Sequence, residues 1–424
     1  MKQIFTFLMC FALPANAGNV IFFHPDGMSL SHWTAIRLVT EGPDGDTHWD
    51  KLPYSAVYRG HMKDSLSATS NGGATTHAYG VKVQASSFGT DGKSPVQSYS
   101  GFQGSIMKEA QSKGKAVALV QSGFISEPGT AAFMASHPAR EDYQEIAKQV
   151  LFSLPDLHMS GGERYLLPKG VKGRFGVGER TDDLNLIEWA KNKGYSVVYT
   201  KQELNDLVLS LKNKKTQKIL GVFAWSHTFN DLTEEELNQK NLPLYEQSAP
   251  SISEMSQAAL SFLSSLGKEF LLVIEEEGTD NFSNKNNAAG FIEAGVRANQ
   301  AISHLSNFVL KNKNTLLLMA SDSDAGGLQI YGNSPDKLAI NQKLPASHKE
   351  AHVIDGQSGA GSLPFVSKPD RFGVVHPFGI AWAGTGDFTG GILAKAQGKN
   401  ASLVRGSLDN TQIYKIIRDT LFSR

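Results

Sequence analysis

Thiol chemistry is nearly absent from this chain: its one cysteine, Cys10, lies within the first seventeen residues. That segment, MKQIFTFLMCFALPANA, sets Lys2 before an apolar run from Ile4 to Leu13 and ends in Ala15-Asn16-Ala17. A charged start, an apolar middle and a small-x-small end make a secretory signal, so residues 1–17 are expected to be a cleaved signal peptide. The mature protein is then expected to be periplasmic or secreted and to contain no thiol. Disulfide staples, thiolate nucleophiles and cysteine metal sites are excluded on that reading. Net charge is also lacking, with 41 basic against 41 acidic residues. No basic block occurs, which argues against a nucleic-acid partner. Beyond the first segment no apolar run reaches the ~20 residues that span a bilayer, so no membrane insertion is expected. The twelve histidines form no HExxH zinc motif.

What the chain has instead is a regular alternation. Short apolar runs are spaced by segments of helical period, which predicts an α/β fold with helices on both faces of a central sheet. The expected strands are 19–23, 116–120, 196–200, 219–224, 270–275, 315–320 and 379–384. Helices are expected over 140–154, 182–194, 251–267, 287–312 and 409–422, several opening on Asp, Asn or Ser caps. Residues 18–424 are expected to form one catalytic domain. The polar, aperiodic stretch at about 329–372 reads as a surface insertion within it.

Three expected strands run straight into carboxylates. NVIFFHPDG delivers Asp26; FLLVIEEEGTD delivers Glu275, Glu276, Glu277 and Asp280; TLLLMASDSDAGG delivers Asp322 and Asp324. In open α/β sheets ligands sit beyond the carboxyl edge of the strands. Acidic side chains converging there repel one another unless cations lie between them, and oxygen donors suit Mg²⁺, Mn²⁺, Ca²⁺ or a carboxylate-bound Zn²⁺. Glu275 and Glu277 would share a face of an extended strand, leaving Glu276 in solvent or behind the ligands.

These segments resemble the alkaline phosphatase family. NVIFFHPDGMSLSH is similar to its first strand and metal-binding turn. DSLSATSNGGATTHAYGVK is similar to its nucleophile segment. EPGTAAFMASHPAREDYQEIAKQ, MSGGERYLLP, VIEEEGTDNFSNKNNAAGFIEA, LLLMASDSDAGGL and the C-terminal GIAWAGTGDFTGG…DNTQIYKIIRDTLF follow in family order. The resemblance implies a three-layer αβα sandwich with a mostly parallel sheet, and a phosphate monoester hydrolase that forms a phosphoserine. Small-molecule phosphate esters are the implied substrates, and family members are often homodimers.

Counting back from Gly80-Val81-Lys82 sets Ser70 at the nucleophile position, with Thr69 the next candidate; the family usually has Asp where Thr69 stands. The resemblance implies a phosphate clamp at Arg140 and a metal-bridging carboxylate at Asp26. It implies a Mg²⁺ site of Glu275 with Thr130 or Glu127, and two catalytic metals held by Asp280 and by Asp322. The family's zinc-binding histidines are missing: Asn284 and Ser323 occupy two of their positions, and His376 lies near the third. Two readings stay open. Asp324 or Asn284 fills a vacated position around Mg²⁺, Mn²⁺ or Ca²⁺, two or three ions in all. Otherwise the chain is a degenerate homologue that binds metal or phosphate without turnover. A phosphodiesterase or nucleotide pyrophosphatase of the same superfamily is a further alternative. His24 and His77 read as packing or supporting residues.

Overall fold

The computed structural model describes residues 17–211, 218–332, 338–348 and 351–422. The expected signal peptide, apart from Ala17, lies outside the described residues, as do parts of the expected insertion.

Ten strands form the central sheet: β1 (Asn19–Pro25), β2 (Tyr54–Arg59), β3 (Ala116–Phe124), β4 (Leu157–Gly161), β5 (Tyr195–Val198), β6 (Lys218–Val222), β7 (Phe270–Glu276), β8 (Thr315–Met319), β9 (Leu393–Gly398) and β10 (Gly406–Asp409). Their order is β10-β2-β9-β8-β1-β7-β3-β4-β6-β5. Only β9 runs antiparallel to its neighbours; every other pairing is parallel.

β1 explains the layering. Its residues are buried on both sides, as a strand in the middle of a parallel sheet must be. Val20 and Phe22 pack into one core with the helices Ser70–Tyr79, Ile106–Ser112, Tyr143–Phe152 and Thr411–Leu421. Ile21 and Phe23 pack into the other, against Leu30–Thr40, Ile252–Ser265 and Ala288–Lys311. The alternation of a single strand therefore feeds two helical layers, giving an αβα sandwich.

The strand expected at 379–384 forms at Pro377–Trp382 but leaves the central sheet. It is the middle of a small antiparallel sheet with Gln329–Tyr331, Val353–Gly356 and Phe365–Val366. Among the described residues, no helix is long and apolar enough to cross a membrane.

Register positions the site. His24 of β1 lies beside Glu275 of β7, and Glu275 lies beside Gln121 of β3. One row across three central strands thus carries an imidazole, a carboxylate and an amide at the carboxyl edge.

Candidate active site

Ser70 opens a helix that local chemistry specifies closely. Thr69 is extended, and its hydroxyl accepts from the Gly72 N–H at 3.2 Å, the usual N-cap arrangement. Gly80, at φ +71°, ends the helix in a left-handed turn. All ten residues between are buried. Small side chains permit this: a Cβ on Gly73 would stand 2.6 Å from the Cβ of Asp322, so only glycine lets the helix seat against the end of β8. Thr69 is committed to the cap and to the Ala85 carbonyl at 2.6 Å, whereas Ser70 faces Asp26.

Asp26 is the centre of the cluster. His24 Nε2 lies 3.2 Å from its Oδ1 and 3.9 Å from Asp322 Oδ1. Burial opposes the charge on Asp26, yet His24 and contacts from Asp322 and Ser70 hold its carboxyl below the usual range. Its neighbours go the other way. Burial, then Asp26, drives Asp322 up, and burial followed by Asp26 lifts Glu275 to about 8. Both oxygens of Asp26 and of Asp322, together with Glu275 Oε1 and Glu277 Oε2, are buried without a hydrogen-bond partner. Buried, unpaired carboxylate oxygens cost several kcal/mol each in principle, and divalent cations are the groups that satisfy such a set.

Of the two alternatives for the Mg²⁺ corner, Thr130 is the one beside Glu275. Its backbone N–H donates to Glu275 Oε2 at 3.2 Å, and its hydroxyl accepts from Gln121 Nε2 at 2.7 Å. Any side chain at Gly129 would overlap Glu275, so the glycine is needed for this approach. Glu127 turns instead toward Arg140, at 3.8 Å, and His227, at 3.9 Å. Arg140 donates to Asn71 Oδ1 at 3.1 Å and so reaches the first turn of the Ser70 helix.

The opposite corner departs from expectation. Asn284 accepts from the Gly326 N–H through Oδ1 at 3.1 Å, which turns its amide nitrogen toward Asp280, at 3.0 and 3.1 Å. The same nitrogen donates to Asp387 Oδ1 at 3.2 Å. In this orientation Asn284 is a donor to two carboxylates and presents no oxygen to a cation, contrary to its expected role as a ligand. Ser323 is buried beside Asp387. Asp324 does not fill a vacated position: it turns away toward Ser29 and toward His32, whose Nδ1 is 3.4 Å from it. His376 is a surface residue paired with Asp370 at 3.0 Å and takes no part in the site.

Three residues of the cluster escaped the sequence reading as site members. Asp387 stands against Asp280 and Asn284; a lone Asp in a Gly/Thr-rich loop carries no signal of its own. Glu277 lies just past the end of the strand, with helical backbone angles, and so is not placed by strand alternation; the turn still sets it among Glu127, Glu275, Asp26 and Asp280. His24 packs its ring against Phe22 and His77 and also points an unpaired nitrogen into the carboxylates. Glu276 is not solvated: it is buried, accepting from Ser122 Oγ at 2.6 Å.

The family profile described as alkaline phosphatase matches residues 17–363. The chain belongs to the alkaline phosphatase family. It is 27% identical over 395 residues to the tissue-nonspecific alkaline phosphatase of Mus musculus, covering 80% of this chain and 72% of that one. It is 26% identical over 326 residues to alkaline phosphatase 4 of Bacillus subtilis, covering 75% and 64%. The fold is similar to that of Thermus thermophilus alkaline phosphatase, with TM-score 0.73 at 21% identity over 96% of this chain and 92% of that one. It is also similar to the alkaline phosphatase of the Antarctic bacterium TAB5, with TM-score 0.70 at 18% identity over 96% and 98%. A variant of the Antarctic alkaline phosphatase is described with Mg bound in its M3 site.

Proposed function

We propose that this protein is a metal-dependent phosphate monoester hydrolase that works through a phosphoserine at Ser70. The observation that carries the reading is convergence: Ser70, at the open end of its helix, faces Asp26, while Arg140 reaches the same turn through Asn71.

Divalent cations, when bound, would favour the Ser70 alkoxide and balance phosphoryl charge. Asp26 and Asp322 are the residues to hold one beside Ser70. Asp26, Glu275 and Thr130 are those to hold another, and their oxygen donors suit Mg²⁺. Ser70 Oγ attacks phosphorus as the ester P–O bond breaks and the alcohol departs from the opposite side. The free N–H groups of the first helical turn and the Arg140 guanidinium take nonbridging oxygens, the guanidinium by its fork of donors. Water then attacks the phosphoserine, the Ser70 Oγ–P bond breaks, and inorganic phosphate leaves. Because the transition state spreads negative charge over these oxygens, prepositioned positive groups stabilise it most.

Beside Asp322 a cavity of about 320 Å³ is lined by Tyr58, Leu66, Phe388 and Ile392. Its apolar wall suits the alcohol of a small ester. With a secretory signal, the protein would release phosphate outside the cytoplasm.

The test is hydrolysis of p-nitrophenyl phosphate and of bis-p-nitrophenyl phosphate by metal-stripped protein refilled separately with Zn²⁺, Mg²⁺, Mn²⁺, Co²⁺ and Ca²⁺. Faster monoester turnover that disappears in Ser70→Ala is expected. No rate above background with any ion retires the reading, and a faster diester rate replaces it with a phosphodiesterase.

A further inference from the structure

Among the described residues, the corner at Asp280 and Asp387 holds Asn284 and Ser323 and no imidazole, and yet an imidazole points into the acidic cluster from β1. His24 is the sixth residue of β1, two before Asp26, so the two side chains leave the strand on the same face. The ring is 1% exposed. Its Nδ1 is 2.8 Å from the Ala320 carbonyl oxygen. A carbonyl only accepts, so Nδ1 carries the hydrogen and the neutral ring has its lone pair on Nε2. That lone pair faces Asp26 Oδ1 at 3.2 Å and Asp322 Oδ1 at 3.9 Å. His24 Nε2 and all four oxygens of these carboxylates lack a hydrogen-bond partner.

With the ring neutral, three acceptors face one another and need positive charge between them. A proton on Nε2 supplies a single charge to Asp26 and Asp322, with Glu275 close behind; a dication supplies two and offers bonds to every donor. The spacing also suits an ion. Ligand bonds of about 2.1 Å place neighbouring donor atoms roughly 3.0–3.4 Å apart; His24 and Asp26, at 3.2 Å, lie in that range, while Asp322, at 3.9 Å from His24, must close by about half an ångström on an ion. The hydrogen bond from Nδ1 to a backbone carbonyl is the arrangement that fixes the tautomer of metal-binding histidines.

We infer that His24 is a metal ligand: its Nε2, with Asp26 and Asp322, binds one divalent cation beside Ser70. The donor set of one nitrogen and carboxylate oxygens favours Zn²⁺ or Co²⁺ over Mg²⁺ at this position. The inference rests on the metal-dependent reading above and adds the ligand and the class of ion. His77, ring-to-ring with His24 at 5.6 Å, is already bonded to the Tyr58 hydroxyl at 2.6 Å and remains a packing residue.

The experiment reads coordination rather than turnover. Protein loaded with Co²⁺ or Zn²⁺ is compared with His24→Gln by X-ray absorption and by metal titration. An imidazole scattering signal is expected in the wild type and absent from His24→Gln. Zn²⁺ affinity should fall by at least the roughly 10- to 100-fold that loss of a supporting partner already costs. Absence of the signal from the loaded wild type, or its persistence in the variant, overturns the assignment. Should His24→Gln fail to fold, long-range ¹H–¹⁵N spectra of the wild type decide. A His24 ring that becomes singly protonated at Nδ1 on adding Zn²⁺ supports it; one that stays doubly protonated in the loaded protein refutes it. A protein that binds metal through His24 but hydrolyses no ester would remove the phosphatase reading and keep this one.

Discussion

Arg140 and Asn71 are joined across 69 residues of chain by a 3.1 Å hydrogen bond from the guanidinium to the side-chain carbonyl, one residue past Ser70. Asn71 is itself anchored, donating to the Ser87 carbonyl at 3.0 Å and the Ala85 carbonyl at 3.2 Å. The guanidinium is therefore aimed before any anion arrives. Removing it in Arg140→Ala should lower kcat/KM for p-nitrophenyl phosphate by roughly 10²–10³-fold, as for other prepositioned transition-state donors. Asn71→Ala removes the aiming bond, worth about 1 kcal/mol, together with the two anchoring bonds to Ser87 and Ala85; it should lower the melting temperature but cost activity only roughly threefold to tenfold. Equal losses in the two variants would mean that Arg140 acts through the fold rather than on phosphate.

Gly129 tests the Glu275–Thr130 corner. An added methyl group overlaps Glu275, so Gly129→Ala should push that carboxylate away and strain the short helix Pro128–Ala131. Overpacking of this kind costs about 1–3 kcal/mol. The expected result is a lower melting temperature and weaker Mg²⁺ binding by calorimetry, with the Ser70 helix intact. Unchanged Mg²⁺ affinity would show that Glu275 is not a ligand.

Much of this arrangement was legible in the sequence for one reason: buried parallel strands are continuous apolar runs, and a run that ends in acid marks the carboxyl edge. NVIFF, FLLVI and TLLLM declare themselves and bring Asp26, Glu275 and Asp322 with them. β2 and β9 were missed because YSAVYR and LAKAQG lie near the sheet border and carry polar residues through the strand. β4 was missed because LHMSG hides a buried strand behind His, Ser and Gly. The strand at Pro377–Trp382 was recognised, but pattern alone does not say which sheet it joins. Asp387 is invisible for a different reason. Its partners, Asp280 and Asn284, lie about a hundred residues earlier, and only the fold brings them together. His24 is visible in the sequence, but the direction of its ring is not, since it depends on a carbonyl from another strand end, that of Ala320.

Chelation should make stability depend on pH in a definite direction. In the metal-free protein burial, then Asp26, raises Glu275 to about 8, and burial raises Glu276 to about 7. A carboxyl whose folded pKa is raised keeps its proton where the unfolded chain, near 4.3, has lost it. Its contribution is complete below the unfolded value and is lost as pH rises through the folded one. Chelated protein should therefore melt at progressively lower temperature as pH passes from about 7 through about 8. His24, which burial disfavours but Asp26 holds protonated up to about 10, adds to the loss in the same direction, because an unfolded histidine has given up its proton above about 6.5. Saturating divalent cation should flatten the profile. A chelated protein that gains stability across this window would contradict the assignment of buried, unpaired carboxyls.

On the proposed function, the cavity beside Asp322 should set the preference among esters. Phe388 and Leu66 are exposed on its wall, at 38% and 80%, and so are available to a bound alcohol. Phe388→Ala should reduce kcat/KM for 2-naphthyl phosphate by about tenfold, within the 1–3 kcal/mol that apolar pocket contacts provide. Glycerol phosphate, which has little apolar surface to bury, should be nearly unaffected. Equal losses for the two esters would place the alcohol elsewhere.

The central claim is a covalent bond to one hydroxyl. Metal-loaded protein quenched in acid during turnover of a monoester, digested and analysed by mass spectrometry should yield a phosphorylated peptide spanning Ala68 to Lys82, with the modification on Ser70 and none in Ser70→Ala. Turnover by the wild type with no phosphate on Ser70, or undiminished hydrolysis by Ser70→Ala, would contradict it.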